Sequence, residues 1–369
     1  MERRTTSAAH RRPGADEPCA DPIEGVTRTW FATVDPSPDL FAVVMATGIV
    51  SIAAYYHQYW RLGLALSILA VVAFAALGLS FLAWMATRPA RVAVLVRDPD
   101  VALQMFTFVA ACAVLGARWD DHPAVVWLLG GLALAAWLVL APLAAVDVGS
   151  RSGTDLREHA HGAWLLPSVA TAGLAATAAN LALHAHAGSL VMIGAVAWIL
   201  GMVLYLAVSW LIGWRALATP FVPEEVRPDS WILMGALAIT ALAGDHILAA
   251  ARTLGAPLGL ADWTRPVTFG TWVLASLWIP VLLYAEIWRT NQVAGSLRYQ
   301  GAWWATVFPL GMYSTASAAT AVELHMRSLW TISLVFFWVA FTVWILVATG
   351  LLHSALAHRA MVQGRTLRD

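Results

Sequence analysis

Asp245 and His246 stand side by side in a run that is otherwise apolar. A carboxylate at the centre of a bilayer costs about 2.5–3.5 kcal/mol on insertion scales. A pair kept there suits proton coupling or ion selection. The run places the pair toward its outer end, however, where an interfacial carboxylate neutralised by His246 or Arg252 also accounts for it. Two His-x-His pairs, His159/His161 and His184/His186, have the spacing of metal ligands. They flank one apolar run on opposite sides, so no shared ion is expected, and no metal or cofactor is assigned. Small and hydroxyl-bearing residues gather in alternate runs: Thr47, Gly48 and Ser51; Pro167, Ser168 and Thr171; Thr240; Pro309, Gly311, Ser314 and Thr315. Such side chains line a polar path or let membrane helices pack closely. Their recurrence in every second run favours the path.

Other chemistry is excluded by residue type. All 22 basic residues are arginine, which removes a Schiff-base lysine and a phosphate-loop lysine. Cys19 and Cys112 fall in different segments and form no disulfide framework. No nucleophile triad, phosphate loop or paired intramembrane carboxylate is present, so no enzyme is expected. A net charge of zero gives no argument for nucleic acid.

The elements that must position these residues are helices in a bilayer. The chain is 60% hydrophobic and 12% charged, with a mean hydropathy of +0.70. Soluble domains sit near 45–50% apolar, and a spanning helix needs about 20 apolar residues. Ten such runs are read at 39–56, 62–86, 100–117, 123–146, 162–184, 188–212, 229–253, 266–289, 300–322 and 328–355. Links after odd runs are generally shorter than those after even runs. The fold class is therefore an all-α polytopic membrane protein, ten transmembrane helices arranged as five hairpins with one inward helix each. Residues 1–29 read as a disordered cytoplasmic tail, 30–358 as the membrane domain and 359–369 as a second cytoplasmic tail.

Arg61, Arg118, Arg252, Arg265 and Arg327 fall on the side where odd runs end, and every other arginine falls on the opposite side. Arginine excess marks the cytoplasm, so both ends are expected inside, in a bacterial plasma membrane. Inner-helix N-termini there carry about half a positive charge each, and Arg118, Arg252 and Arg265 would gather anions at the outer mouth. Pro167 and Pro309 should kink their helices inward, stranding the carbonyls of Ala163 and Ala305. Gly162-Ala163-Trp164 and Gly301-Ala302-Trp303 open two odd runs alike, through hairpin duplication or shared membrane composition.

The segments Pro38–Ser51, Gly162–Thr171 and Trp303–Met312 resemble the first, fifth and ninth helices of the tellurite-resistance/dicarboxylate transporter family. That family includes tellurite-resistance proteins, malate permeases, sulfite pumps and slow anion channels. Ala46 stands where it often has glycine. The resemblance implies five hairpins around a central pore, assembly as a homotrimer and a pore-occluding phenylalanine that matches Phe308. Three roles follow from it: a gated pore for small inorganic or organic anions, a proton-coupled carrier of C4-dicarboxylate or sulfur oxyanions using Asp245-His246, or a tellurite-resistance component.

Overall fold

The computed structural model describes residues 40–88, 99–218, 222–255 and 258–366. The expected N-terminal tail lies outside them. Ten long helices occur among the described residues: α1 Phe41–Tyr56, α2 Trp60–Thr87, α3 Phe106–Arg118, α4 Pro123–Ser150, α5 Leu166–Ala185, α6 Gly188–Ala218, α7 Ile232–Leu254, α8 Leu258–Gln292, α9 Trp304–Leu324 and α10 Arg327–Thr366. The described chain contains no strand. Eight spans meet both the length and the hydropathy needed to cross a bilayer. Helix α1 has only 16 residues, and the Ser, Thr and Pro content of α9 keeps it outside that set.

Each odd helix turns back into its even partner through a few residues. The reversals after α5, α7 and α9 use left-handed residues, His186 (φ 49°), Gly255 (φ 64°) and His325 (φ 54°). A left-handed residue past the last turn lets its N–H cap an orphan carbonyl. Helix α8 starts at Leu258, earlier than its apolar run, and α10 continues to Thr366 through most of the expected tail.

The odd helices form the inside. α1 packs on α3, α3 on α5, α5 on α7, α7 on α9, and α9 returns to α1, which closes a five-membered ring. Each even helix lies outside, against its own partner and the next odd helix along. In the apolar windows of α3, α5 and α7, 67%, 83% and 89% of residues are buried, against 22% to 33% in the even helices. The exposed faces of the even helices carry Leu, Val, Ile and Trp, as lipid requires.

Glycine sets how close the inner helices come. A Cβ on Gly48 (α1) would lie 2.8 Å from Val114 Cγ1 (α3), and one on Gly311 (α9) 2.8 Å from Ile49 Cγ2 (α1). Gly173 (α5) sits against Ala113 of α3 and Ile239 of α7, and Gly235 (α7) against Pro309. Every seam of the ring thus carries a glycine. Lipid offers no hydrophobic drive between helices, so this close packing holds the ring together.

Candidate functional site

Three of the inner helices open on a tight turn rather than a plain α-helical start. Gly162–Leu165, Pro228–Trp231 and Gly301–Trp303 are 3-10 turns ahead of α5, α7 and α9. The two Gly-Ala-Trp triplets therefore form the same local structure. This corrects the expected kink at Pro167. The 3-10 turn puts that proline in the first turn of α5, where a missing N–H costs nothing. Pro309 does lie inside α9 and removes the usual N–H partner of the Ala305 carbonyl. Asp229 ties these starts together. Its Oδ2 accepts from the Ala163 N–H at 3.2 Å and lies 3.6 Å from His161 Nε2. Thr306 Oγ1 donates to the Pro228 carbonyl at 3.1 Å.

The hydroxyls of the inner helices have partners in the outer layer. Trp344 Nε1 of α10 donates to Thr47 Oγ1 of α1 at 3.0 Å. Trp137 of α4 donates to Thr171 Oγ1 of α5 at 2.9 Å, and Trp272 of α8 to Ser317 Oγ of α9 at 3.0 Å. Trp198 of α6 donates to the Thr240 carbonyl of α7 at 2.8 Å. Where the series calls for an indole on α2, Phe74 stacks on Phe108 of α3 at 5.6 Å. Each of these outer side chains reaches the next hairpin rather than its own.

The remaining candidates are equally engaged. Ser51 donates to the Gly63 carbonyl of α2, Ser168 to the Gly201 carbonyl of α6, and Ser314 to the Ser333 carbonyl of α10. Thr240 and Thr315 donate to Ala236 and Gly311, one turn back on their own helices. The expectation of a hydroxyl-lined path meets a different arrangement. Composition identified the inner helices, but Thr47, Ser51, Ser168, Thr171, Ser314 and Ser317 bond the outer layer.

Asp245 and His246 do not pair with each other. Asp245 Oδ2 accepts from Thr320 Oγ1 of α9 at 2.8 Å, and His246 Nδ1 meets Asn180 Oδ1 of α5 at 2.6 Å. Asp245 Oδ1 is buried with no hydrogen-bond partner among the described residues. Arg252, expected beside Asp245, instead forms a two-pronged pair with Glu323 at the C-terminal end of α9, with Nη1 to Oε2 at 2.9 Å. Arg118 donates to Ser51 Oγ at 2.9 Å and lies over the Tyr55 ring. The His-x-His pairs are likewise apart: His159 meets Asp155 and His184 meets Asp120.

Phe308 is fully buried in α9, one residue before Pro309. A closed ring of inner helices, sealed from lipid by an outer layer, with a buried aromatic at its one internal proline, defines a polytopic membrane protein of the transport class. The sequence matches the voltage-dependent anion channel (SLAC1) family over residues 36–352, and the chain belongs to that family. It is the family that the Pro38–Ser51, Gly162–Thr171 and Trp303–Met312 segments resembled, and its general role is anion transport across the membrane. An uncharacterized membrane protein of Mycobacterium tuberculosis is 36% identical over 172 residues, which is 46% of this chain and 83% of that protein. An uncharacterized transporter of Methanocaldococcus jannaschii is 22% identical over 342 residues, covering 83% of this chain and 90% of that protein.

The tryptophans were the signal that sequence reasoning passed over. Trp usually marks the membrane–water interface. An indole well inside α4, α6, α8 and α10 has instead to find an acceptor in the protein.

Proposed function

We propose that the chain conducts anions along the axis of its inner ring and that Phe308 closes this path. The observation that carries the reading is the helical phase of α9. At about 100° per residue, Tyr313, Ser314 and Ser317 point to the outer layer, where α8 and α10 bond them. Pro309 and Thr320 face α7, and Gly311 faces α1. The sector that remains holds Phe308, Met312 and Thr315. The same step on α1 turns Thr47 and Ser51 outward and leaves Met45, Ile49 and Ile52 toward the axis. On α7 it leaves Leu242.

This wall is apolar, so passage is governed by width and by the cost of dehydrating the ion. A hydrophobic constriction gates by excluding water, and one phenyl ring is enough to do so. All ten helices cross the bilayer in this reading. The short α1 spans with its preceding turn, and α9 spans as an inner helix shielded from lipid. The arginine bias puts the face where odd helices begin in the cytoplasm, with both termini there, in a bacterial plasma membrane. The working unit is a homotrimer in which each chain has its own path.

The test is anion efflux from liposomes carrying purified protein. Phe308→Ala should raise chloride and nitrate flux at least severalfold, with Phe308→Leu in between. Flux that stays at the wild-type level in a folded, inserted variant removes Phe308 as the gate. A second reading, proton-coupled uptake of a C4-dicarboxylate or a sulfite- or tellurite-like oxyanion, is favoured by the free Oδ1 of buried Asp245. Malate uptake should then follow an imposed pH gradient, and Asp245→Asn should abolish that dependence. Uptake indifferent to the gradient in the wild type discards this coupling.

A further inference from the structure

A cavity of about 310 Å³ opens at the face where the odd helices begin. Its walls are the approach to α7 (Val226, Arg227, Pro228), the last turn of outer helix α8 (Arg289) and the link to α9 (Val293, Ser296, Gln300). Arg289 lines it while being only 6% exposed. A guanidinium carries five N–H donors in a planar fork. One edge of Arg289 is held by Glu286, and the Trp303 ring lies 5.1 Å from its central carbon. Its Nε is buried with no hydrogen-bond partner among the described residues. A buried cation with an idle donor is costly, and an anion accepting at that edge removes the cost.

The charges around the cavity agree. Glu286 offsets one positive charge, but Arg227 stands at the rim. Arg298 folds over Gly295, whose φ of +77° and bare Cα let the Arg298 Nε approach within 3.4 Å of a would-be Cβ. The Ser296 hydroxyl and the Gln300 amide add hydrogen-bonding groups to the lining. We infer that this cavity is a binding site for a phosphate group. The fork of an arginine matches phosphate oxygens two at a time. Depth in the membrane fits a phosphate as well. Leu283, Tyr284 and Ile287 of α8 are exposed on the lipid side, so Arg289 half a turn further on lies where headgroups begin. The phosphate belongs either to an anionic phospholipid or to a soluble phosphate from the adjoining solution.

Two probes separate these sources. The full-length protein is equilibrated in detergent with phosphatidylglycerol or, as the zwitterionic control, phosphatidylcholine, and bound lipid is counted by native mass spectrometry. In parallel, inorganic phosphate is titrated while the thermal unfolding midpoint is read, with chloride at matched ionic strength as the control. Wild type should retain phosphatidylglycerol over phosphatidylcholine, and Arg289→Gln should weaken this about tenfold. Arg227→Gln, a change at an exposed rim residue, should weaken it in the same direction. A saturable phosphate-specific rise in midpoint, lost in both variants and without lipid preference, supports the site with a soluble ligand. Wild type and both variants behaving alike toward both probes overturns it.

Discussion

The seam between α7 and α9 offers the sharpest test of how ring packing governs closure. Adding one methyl as Gly235→Ala puts a carbon 2.8 Å from Pro309 Cγ, 2.9 Å from its Cβ and 3.0 Å from its Cα. Carbon atoms settle at about 3.5–4.0 Å, so the two helices must part by roughly 0.7–1 Å at this level. Pro309 cannot swing aside, because its ring is bonded into the backbone of α9. Overpacking of this kind costs about 1–3 kcal/mol. The displaced residue adjoins Phe308, so the same shift should loosen the closed path. The assay pairs thermal unfolding in detergent with resting chloride efflux from liposomes. Gly131→Ala serves as the control, since its methyl meets nothing within 4 Å. Gly235→Ala should melt lower than that control and leak severalfold more. Melting and efflux equal to those of Gly131→Ala would refute the idea that this seam positions the closing residue.

Other substitutions probe the links between layers. Trp344→Phe and Thr47→Val, made singly and together, should show a coupling of about 0.6 kcal/mol in unfolding measurements, the scale of interhelical hydrogen bonds in membranes. Additive effects would mean the bond contributes nothing. Gly162→Ala drives a methyl into the Asp229 carbonyl. It should cost about 3 kcal/mol or more, read as loss of folded protein in fluorescence-detected size-exclusion chromatography, while Gly153→Ala should express normally. The Arg252–Glu323 pair is half exposed at its arginine end. Glu323→Gln should therefore shift stability by less than about 1 kcal/mol, and the shift should shrink as salt is added.

Much of this architecture was legible because burial leaves a mark on composition. Helices shielded from lipid can hold Thr240, Ser314 or Pro309, whereas α2 and α6 cannot afford many such residues. That contrast separated the two layers before any geometry was known. Link lengths fixed the hairpins for a similar reason, since a two-residue reversal such as His186-Ala187 leaves no freedom for anything else. Azimuth was not legible. Nothing in the composition of α1 says whether Thr47 looks toward the axis or toward α10, and it looks toward α10. Partners across the ring were hidden too. Asp245 meets Thr320, 75 positions away, while its sequence neighbour His246 meets Asn180 on another helix. Pro167 misled because a proline one turn into an apolar run looks like a kink, and only the 3-10 turn before it shows that the helix starts there.

The tryptophan links impose an order on synthesis. Each runs from one hairpin to the following one, so the partner of an outer helix is always made just after it. The exception is the last link, which returns from α10 to α1 across 297 positions. During translation Thr47 must wait until almost the whole chain has been inserted before its indole arrives. A nascent chain stopped short of α10 thus has an unsatisfied Thr47 hydroxyl and the outward face of α9, with Ser314, open to lipid. The seam between the first and last inner helices is therefore the last to be covered.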